Sequence, residues 1–412
     1  MRILHVNKFL HRRGGAEAYM LDLVDLQRAA GHEVELFGMD HPDNPPQRFA
    51  AHFPNSVRLD PPPTEARRRV AAAGRMIYSR AARRGMEAVV RSFRPDVVHL
   101  HNIYHQLSPS VLVPLARAGV PTVMTVHDYK LVCPTYLFLD HGRVCEACLD
   151  GFFGHAIARR CKDDSLGASA VLALESTVHR LTRAYEPVRV FICPSHFLAG
   201  KLSQAGVYPD RLRVLGHFVD AGEVAPKTEP GGPVVYAGRL WPEKGVDVLI
   251  EAMARLGHGQ LAVAGDGPER PRLERLAAAR GPGRVRFHGR LPKAEVLALV
   301  RSGTVLAVPS RSQENQPMVV LEAFACGVPV VTSTLGGLPE LVQPGRNGDS
   351  APPEDPEALA AALDRMLGDP RRAFEMGVAA RAQAQEEFTP AGHLRRLERL
   401  YAQAGTVLAA LG

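Results

Sequence analysis

The 412-residue chain is poor in tryptophan, with one, and in cysteine, with six, and only 6% of it is aromatic. Six cysteines are too few to scaffold a chain of this length by disulfides, so a reducing cytoplasm is the expected compartment. No uninterrupted apolar run reaches the roughly 18 residues that a membrane-spanning helix needs. The opening Met1-Arg2-Ile3-Leu4-His5 lacks the apolar core and small-residue cleavage site of a secretory signal. No Asp-x-Asp occurs, the paired oxygen ligands with which many enzymes hold a diphosphate through a divalent ion. Nor does a Gly-x-Gly-x-x-Gly follow the first strand, which disfavours a dehydrogenase.

Charge is concentrated. The net value is +7, from 50 basic and 43 acidic side chains, and residues 64–94 alone carry nine arginines against Glu65 and Glu87. No aromatics interleave with these arginines in a stacking pattern, so nucleic acid is not the expected partner. Two readings stay open for the segment: a solvated helix face, or a helix that meets an anionic membrane or an anionic acceptor.

The chain alternates strand and helix. Arg2–Asn7 reads as a strand, followed by the Gly14-Gly15 turn, a helix over Ala16–Ala30 and a strand at Glu33–Phe37. After a Pro-rich loop and the basic segment come buried strands at Val97–His101, Pro121–Val126 and Arg189–Cys193. The rhythm restarts after a Gly/Pro-rich linker at 216–233. Strands are predicted at Val234–Ala237, Leu261–Ala264, Val285–His288, Val305–Val308 and Val328–Thr332. The expected class is α/β, with two Rossmann-like, doubly wound parallel sheets facing a central cleft. The boundaries fall at 1–215, 216–390, and a C-terminal helix at 391–412 that packs back on the first domain.

Two stretches of the second half carry chemistry. In Pro309-Ser310-Arg311-Ser312-Gln313-Glu314-Asn315-Gln316-Pro317-Met318-Val319-Val320-Leu321-Glu322 a strand ends, a polar loop follows, and Pro317 stands where a helix starts. The amides of Met318, Val319 and Val320 would then face outward, as at helix ends that bind phosphate. Glu322 is placed to accept from ribose hydroxyls and Glu314 from those of another sugar. The plainer reading is a capped helix with one solvated and one paired glutamate. The second stretch, Gly238-Arg239-Leu240-Trp241-Pro242-Glu243-Lys244-Gly245, follows a strand and sets two cations five residues apart. Both can reach one diphosphate, Arg239 as a planar fork and Lys244 as a point charge. Gly265-Asp266-Gly267-Pro268 reads as a tight turn lining a nucleotide pocket.

Together, Gly238-Arg239…Lys244-Gly245, Gly265-Asp266-Gly267-Pro268, Pro309-Ser310, Glu314-x7-Glu322 and Gly327-Val328-Pro329-Val330-Val331 resemble the family 4 glycosyltransferases. Gly14-Gly15-Ala16-Glu17 and Thr125-Val126-His127-Asp128 are similar more loosely. The resemblance implies a GT-B fold and retaining, nucleotide-sugar-dependent transfer to a hydroxyl acceptor. It implies that Arg239 and Lys244 neutralise the donor diphosphate, that Glu322 binds the ribose and that Glu314 binds the transferred sugar. His127 would contact the donor sugar or the reacting centre from the N-terminal domain, as a catalytic residue, and Gly15, after Gly14, would pass close to the diphosphate. One departure stands out: where many relatives carry an aromatic and a glycine after the first glutamate, this chain has Gln316 and Pro317, and proline has no N–H to offer. No cofactor is expected for catalysis, because Arg239, Lys244 and a helix end already supply positive charge.

Cys133, Cys145, Cys148 and Cys161 follow C-x11-C-x2-C-x12-C in an otherwise irregular stretch, Lys130–Lys162. A structural zinc and a set of reduced thiols are both consistent with that spacing. Functionally, a UDP- or GDP-sugar transferase in cell-envelope glycoconjugate synthesis leads. An epimerase or phosphorylase on the same architecture, or a non-catalytic sugar-nucleotide-binding protein, is the alternative.

Overall fold

The computed structural model describes residues 1–57 and 65–409. Pro61–Pro63 of the Pro-rich loop and Thr64 at the head of the basic segment lie outside the described residues. The chain divides into two compact units: residues 1–138, 146–215 and 394–412, and residues 139–145 with 216–393.

The first unit is built on β1 (Arg2–Val6), β2 (Glu33–Phe37), β3 (Val97–Leu100), β4 (Thr122–Thr125), β7 (Val190–Cys193) and β8 (Leu212–Val214). A hairpin of β5 (Leu139–Asp140) and β6 (Arg143–Val144) interrupts the count. The six strands are parallel in the order β2-β1-β3-β4-β7-β8. The order reverses between β1 and β3, the position where open α/β sheets collect ligands at the carboxyl ends of their strands.

The second unit carries β9 (Val234–Ala237), β10 (Leu261–Ala264), β11 (Val285–Gly289), β12 (Val305–Val308), β13 (Val330–Ser333) and β14 (Gly348–Ala351). All are parallel, in the order β11-β10-β9-β12-β13-β14, so its switch point lies between β9 and β12. Alternate residues feed two separate cores, as the period of two requires. Val234, Tyr236, Leu261, Val263, Val305 and Ala307 enter one. Val235, Ala262, Leu306 and Val308 enter the other. Both faces of this sheet are therefore covered, which is why its strands read as continuous apolar runs.

Several details depart from the sequence reading. The last apolar run yields a strand only from Val330, because the Val328 amide closes the preceding helix on the Ala323 carbonyl and Pro329 has no N–H. The edge strands β8 and β14, with sequences Leu-Arg-Val and Gly-Asp-Ser-Ala, lack an apolar run and escaped it. The stretch 130–162 is not irregular throughout: it holds the hairpin, a 3-10 turn at Ala147–Asp150 and a helix at Gly154–Ala158. A long helix, Leu166–Leu181, follows, capped by Ser165 through the Ala168 amide. No helix among the described residues is long and apolar enough to cross a membrane.

Candidate active site

In the second unit the loops after β9 and β12 meet at the switch point, backbone against backbone. Gly245 has φ +67°, and a Cβ there would stand 2.0 Å from the Pro309 carbonyl oxygen. Gly265, at φ +142°, is pressed as closely on the Gly238 carbonyl, where a Cβ would sit at 1.8 Å. Glycine is thus required at both positions by conformation and by space. The Gly238 amide donates to Ala264, and Leu240 to Asp266, tying the Arg239 loop to the next turn. Gly267 lies in that turn against the Leu240 carbonyl.

On this frame Lys244 Nζ donates to Glu314 Oε1 at 2.7 Å. Ser310 Oγ donates to the same oxygen at 2.6 Å. Burial works against ionisation of Glu314, yet the Lys244 ammonium and these two hydrogen bonds hold its carboxyl below the ordinary range. The two sequence-predicted residues are therefore partners of each other. Arg239 differs: its side chain is 54% exposed and reaches Glu243 only at 3.7 Å. Its guanidinium lies 5.6 Å from the centre of the Trp241 ring, and Tyr236 fixes its backbone by donating to the Arg239 carbonyl.

Arg311 is a residue the sequence reading passed over. It forks onto Asp247 at 2.7 and 3.1 Å, donates to the Pro242 carbonyl at 2.9 Å and pairs with Glu354. Its own amide donates to the Glu243 carbonyl. One side chain thereby pins the Lys244 loop to the Glu314 loop. Its place directly after Pro309-Ser310 was visible; its partner Asp247, 64 positions away, was not.

The helix Met318–Ala325 follows Pro317, with no side chain capping its start. The expectation of three outward amides needs correction: Val320 N–H donates to the Pro317 carbonyl at 3.0 Å in a tight first turn. Met318 and Val319 stand ahead of the first intrahelical bonds. Glu322 is half-buried on the same helix. Gln316, at the departure from the common pattern, turns away from this end, and its side-chain oxygen accepts from the His217 amide. A Cβ at Gly216 would lie 2.7 Å from the Gln316 amide nitrogen, so the chain entering the unit is fitted to this side chain.

In the first unit His127 follows β4, half-buried, its Nε2 3.0 Å from Nδ1 of His101. Burial pushes the His127 imidazole down to about 3. Gly14 and Gly15 open the helix Gly15–Ala29 and both are exposed. Gly14 is extended, a conformation open to any residue, so the backbone itself does not demand glycine there.

Of the four loop cysteines, Cys148 and Cys161 pack in one small apolar cluster with Phe153 and Ala156. Cys133 is buried with its sulfur 3.4 Å from Thr135 Oγ1, and Cys145 ends the hairpin segment. Two groups of three ligand atoms within 4.8 Å of one another occur among the described residues, His5/His99/His101 and His11/His41/Asp43, and neither includes a cysteine. Cys193 and Cys326 are buried, their thiols pushed up to about 12 by burial.

Comparison with known proteins fits this arrangement. Residues 13–223 match the family model described as Glycosyltransferase Family 4, and residues 232–369 match Glycosyl transferases group 1. The chain belongs to glycosyltransferase family 4.

Among relatives, a GDP-mannose-dependent alpha-(1-6)-phosphatidylinositol monomannoside mannosyltransferase of Mycolicibacterium smegmatis is 39% identical over 166 residues. That match covers 38% of this chain and 44% of the relative, so the chain spans less than half of that protein's length. Sucrose-phosphate synthase from Thermosynechococcus elongatus superposes with a TM-score of 0.74 at 23% identity, over 98% of this chain and 99% of the other. The Anabaena protein HepE, solved in complex with UDP-glucose, gives 0.64 at 19% identity over the full length of both. The fold is GT-B, two Rossmann-like units.

Proposed function

We propose that the chain is a retaining glycosyltransferase that moves a sugar from a UDP- or GDP-linked donor to a hydroxyl acceptor, without a divalent ion. The observation that carries this reading is the Lys244–Glu314 pair next to the uncapped helix start at Met318, with Arg239 on the same loop as Lys244, at the carboxyl ends of the adjacent strands β9 and β12. Two cationic side chains on a loop at a strand-end switch point suit a diphosphate leaving group, whose terminal phosphate gains charge in the transition state. Glu322 is assigned the ribose hydroxyls and Glu314 the transferred sugar, with Gly267 lining the nucleotide pocket. His127 is assigned the donor sugar, and Gly14 and Gly15 the close approach to the diphosphate. That the fold itself does not require glycine at 14 favours a ligand as the reason for it. In the transfer, the bond from the anomeric carbon to the diphosphate oxygen breaks while the acceptor oxygen bonds on the same face. The acceptor proton passes to the departing diphosphate, so no separate side-chain base is needed.

The nucleotide choice rests on similarity: the mannosyltransferase relative is named for GDP-mannose and the Anabaena neighbour holds UDP-glucose. A cytoplasmic site of action in envelope glycoconjugate synthesis belongs to the same proposal; a glycolipid acceptor is in keeping with the mannosyltransferase relative, which is named for a phosphatidylinositol monomannoside. Arg67, Arg68 and Arg69 are exposed on the helix Ala66–Ile77, beside Val70 at 73% exposure, and would meet an anionic membrane surface. A structural zinc on Cys133, Cys145, Cys148 and Cys161 belongs to the same proposal. A thermal-shift panel of UDP-, GDP-, ADP- and TDP-sugars, followed by product analysis with and without acceptor, tests the reading. Stabilisation by UDP- or GDP-sugars with acceptor-dependent product supports it. Conversion of the donor to an epimer without acceptor replaces it with the epimerase alternative.

A further inference from the structure

A file of buried polar side chains runs through the sheet of the first unit and ends at His127. Gln27, on the helix Gly15–Ala29, places Oε1 2.7 Å from Nε2 of His5 on β1. His5 Nδ1 lies 3.0 Å from His101 Nε2, just beyond β3. His101 Nδ1 lies 3.0 Å from His127 Nε2, just beyond β4. The His5–His101 and His101–His127 rings stack, each pair with centroids 5.3 Å apart. Gln27 and all three histidines but His127 are fully buried. Four polar side chains in a parallel-sheet core are costly unless each is satisfied, and here each satisfies the next.

Every neutral imidazole has one N–H donor and one acceptor nitrogen, and the bond made at one nitrogen fixes the other. The Gln27 amide is itself held, because its Nε2 lies 3.0 Å from the Tyr401 hydroxyl. That hydroxyl lies 2.8 Å from His99 Nδ1, and His99 Nε2 lies 2.7 Å from Thr125 Oγ1. With Tyr401 donating to His99, it accepts from Gln27, and the Gln27 carbonyl faces His5. His5 then donates from Nε2 and accepts at Nδ1. His101 does the same toward His5 and His127, and His127 donates from Nε2.

We infer that Gln27, His5 and His101 are positioning residues that lock His127 in its Nε2–H form, so that its Nδ1 accepts and cannot donate in any contact with the donor sugar. The sugar contact rests on the function proposed above; the tautomer does not. Burial keeps His5 near 4 and His127 near 3, so both rings are neutral at pH 7.5. An acceptor nitrogen selects a hydroxyl at the sugar position it meets and leaves a deoxy analogue without a bond there. It also couples the C-terminal helix, through Tyr401, to the orientation of His127.

The test is long-range proton–nitrogen NMR of the full chain labelled with ¹⁵N-histidine, at pH 7.5 and without ligand. Signals are assigned by their loss in His5→Gln, His101→Gln and His127→Gln. Nε2–H at all three positions is the expected pattern; Nδ1–H at His101 or His127 overturns the inference. In Gln27→Met the acceptor is gone, and the Nδ1–H form of His127 rises from under about a tenth to about half. Gln27→Glu keeps the acceptor and returns His127 to Nε2–H. A Gln27→Met protein whose His127 remains wholly Nε2–H contradicts the role of Gln27. Should Gln27→Met fail to fold, the wild-type spectrum still decides. If the chain proves to transfer no sugar, the spectrum stands, because it reads the tautomer without turnover.

Discussion

Lys244 donates to Glu314 across 2.7 Å, so the cation assigned to the diphosphate is already neutralised by the carboxylate assigned to the sugar. Binding of a nucleotide sugar must then exchange one partner for another: the phosphate takes the ammonium, and a sugar hydroxyl takes the carboxylate. Ser310 Oγ donates to the same Glu314 oxygen.

Glu314→Gln separates the two halves of that exchange. The amide preserves the shape but not the charge that competes for Lys244. Affinity for UDP or GDP, read by titration calorimetry, should therefore rise about threefold to tenfold. Sugar transfer should fall by about 100-fold or more. Weaker diphosphate binding would show that the pair is not in competition with the ligand.

Acid stability follows from the buried histidines. Burial lowers His5 and His105 to about 4 and His127 to about 3, below the ordinary value near 6.5. The unfolded chain therefore binds protons at these positions before the folded one does. Their stabilising contribution is complete above pH 6.5 and is lost as the pH falls toward 4. The thermal midpoint should be level from pH 8 to 7 and drop steeply between 6.5 and 4.5, before ordinary carboxylates titrate. A flat profile through that window would mean that these rings take up protons as readily in the native state as in the unfolded chain.

The fold was legible because parallel strands covered on both faces are short apolar runs, and Val234–Ala237, Leu261–Ala264 and Val305–Val308 stand out as such. Val285–Gly289, mostly only partly buried, runs one residue beyond the expected Val285–His288. The edge strands β8 and β14 have no such run, since their pairing comes from one neighbour each. Within the site, the loop cations and glutamates were legible from position after a strand. Their mutual pairing was not, because residues 70 positions apart meet only when β9 and β12 are known to be neighbours. The histidine file was equally hidden: His5, His99 and His101 looked like isolated letters in apolar strands until β1 and β3 were set side by side.

Arg311→Met tests whether the clamp between the two loops matters. The variant leaves Asp247 to Arg272 alone and frees the Pro242 carbonyl. Urea unfolding should show a loss of about 1–3 kcal/mol, since the fork is mostly shielded. Transfer should slow through misplacement of Lys244, with the nucleotide still bound. Unchanged stability would show that the loops hold each other without it.

Metal dependence separates the two metal questions. Transfer should continue at an unchanged rate in excess EDTA, since Arg239 and Lys244 supply the positive charge. Rates that collapse in chelator and recover only with Mg²⁺ or Mn²⁺ would contradict this. Elemental analysis of the purified protein addresses the cysteines by itself. One zinc per chain, lost in Cys148→Ser, is the expected result, and absence of stoichiometric metal removes the zinc.

Affinity for UDP and GDP in wild type and in the double variant Arg239→Met/Lys244→Met, with thermal midpoints to verify folding, bears most directly on the diphosphate pocket. A folded double variant that binds either nucleotide at least about 100-fold more weakly and no longer transfers sugar is the expected result. A folded double variant with undiminished affinity and turnover would place the leaving group elsewhere and remove the basis of the proposed function.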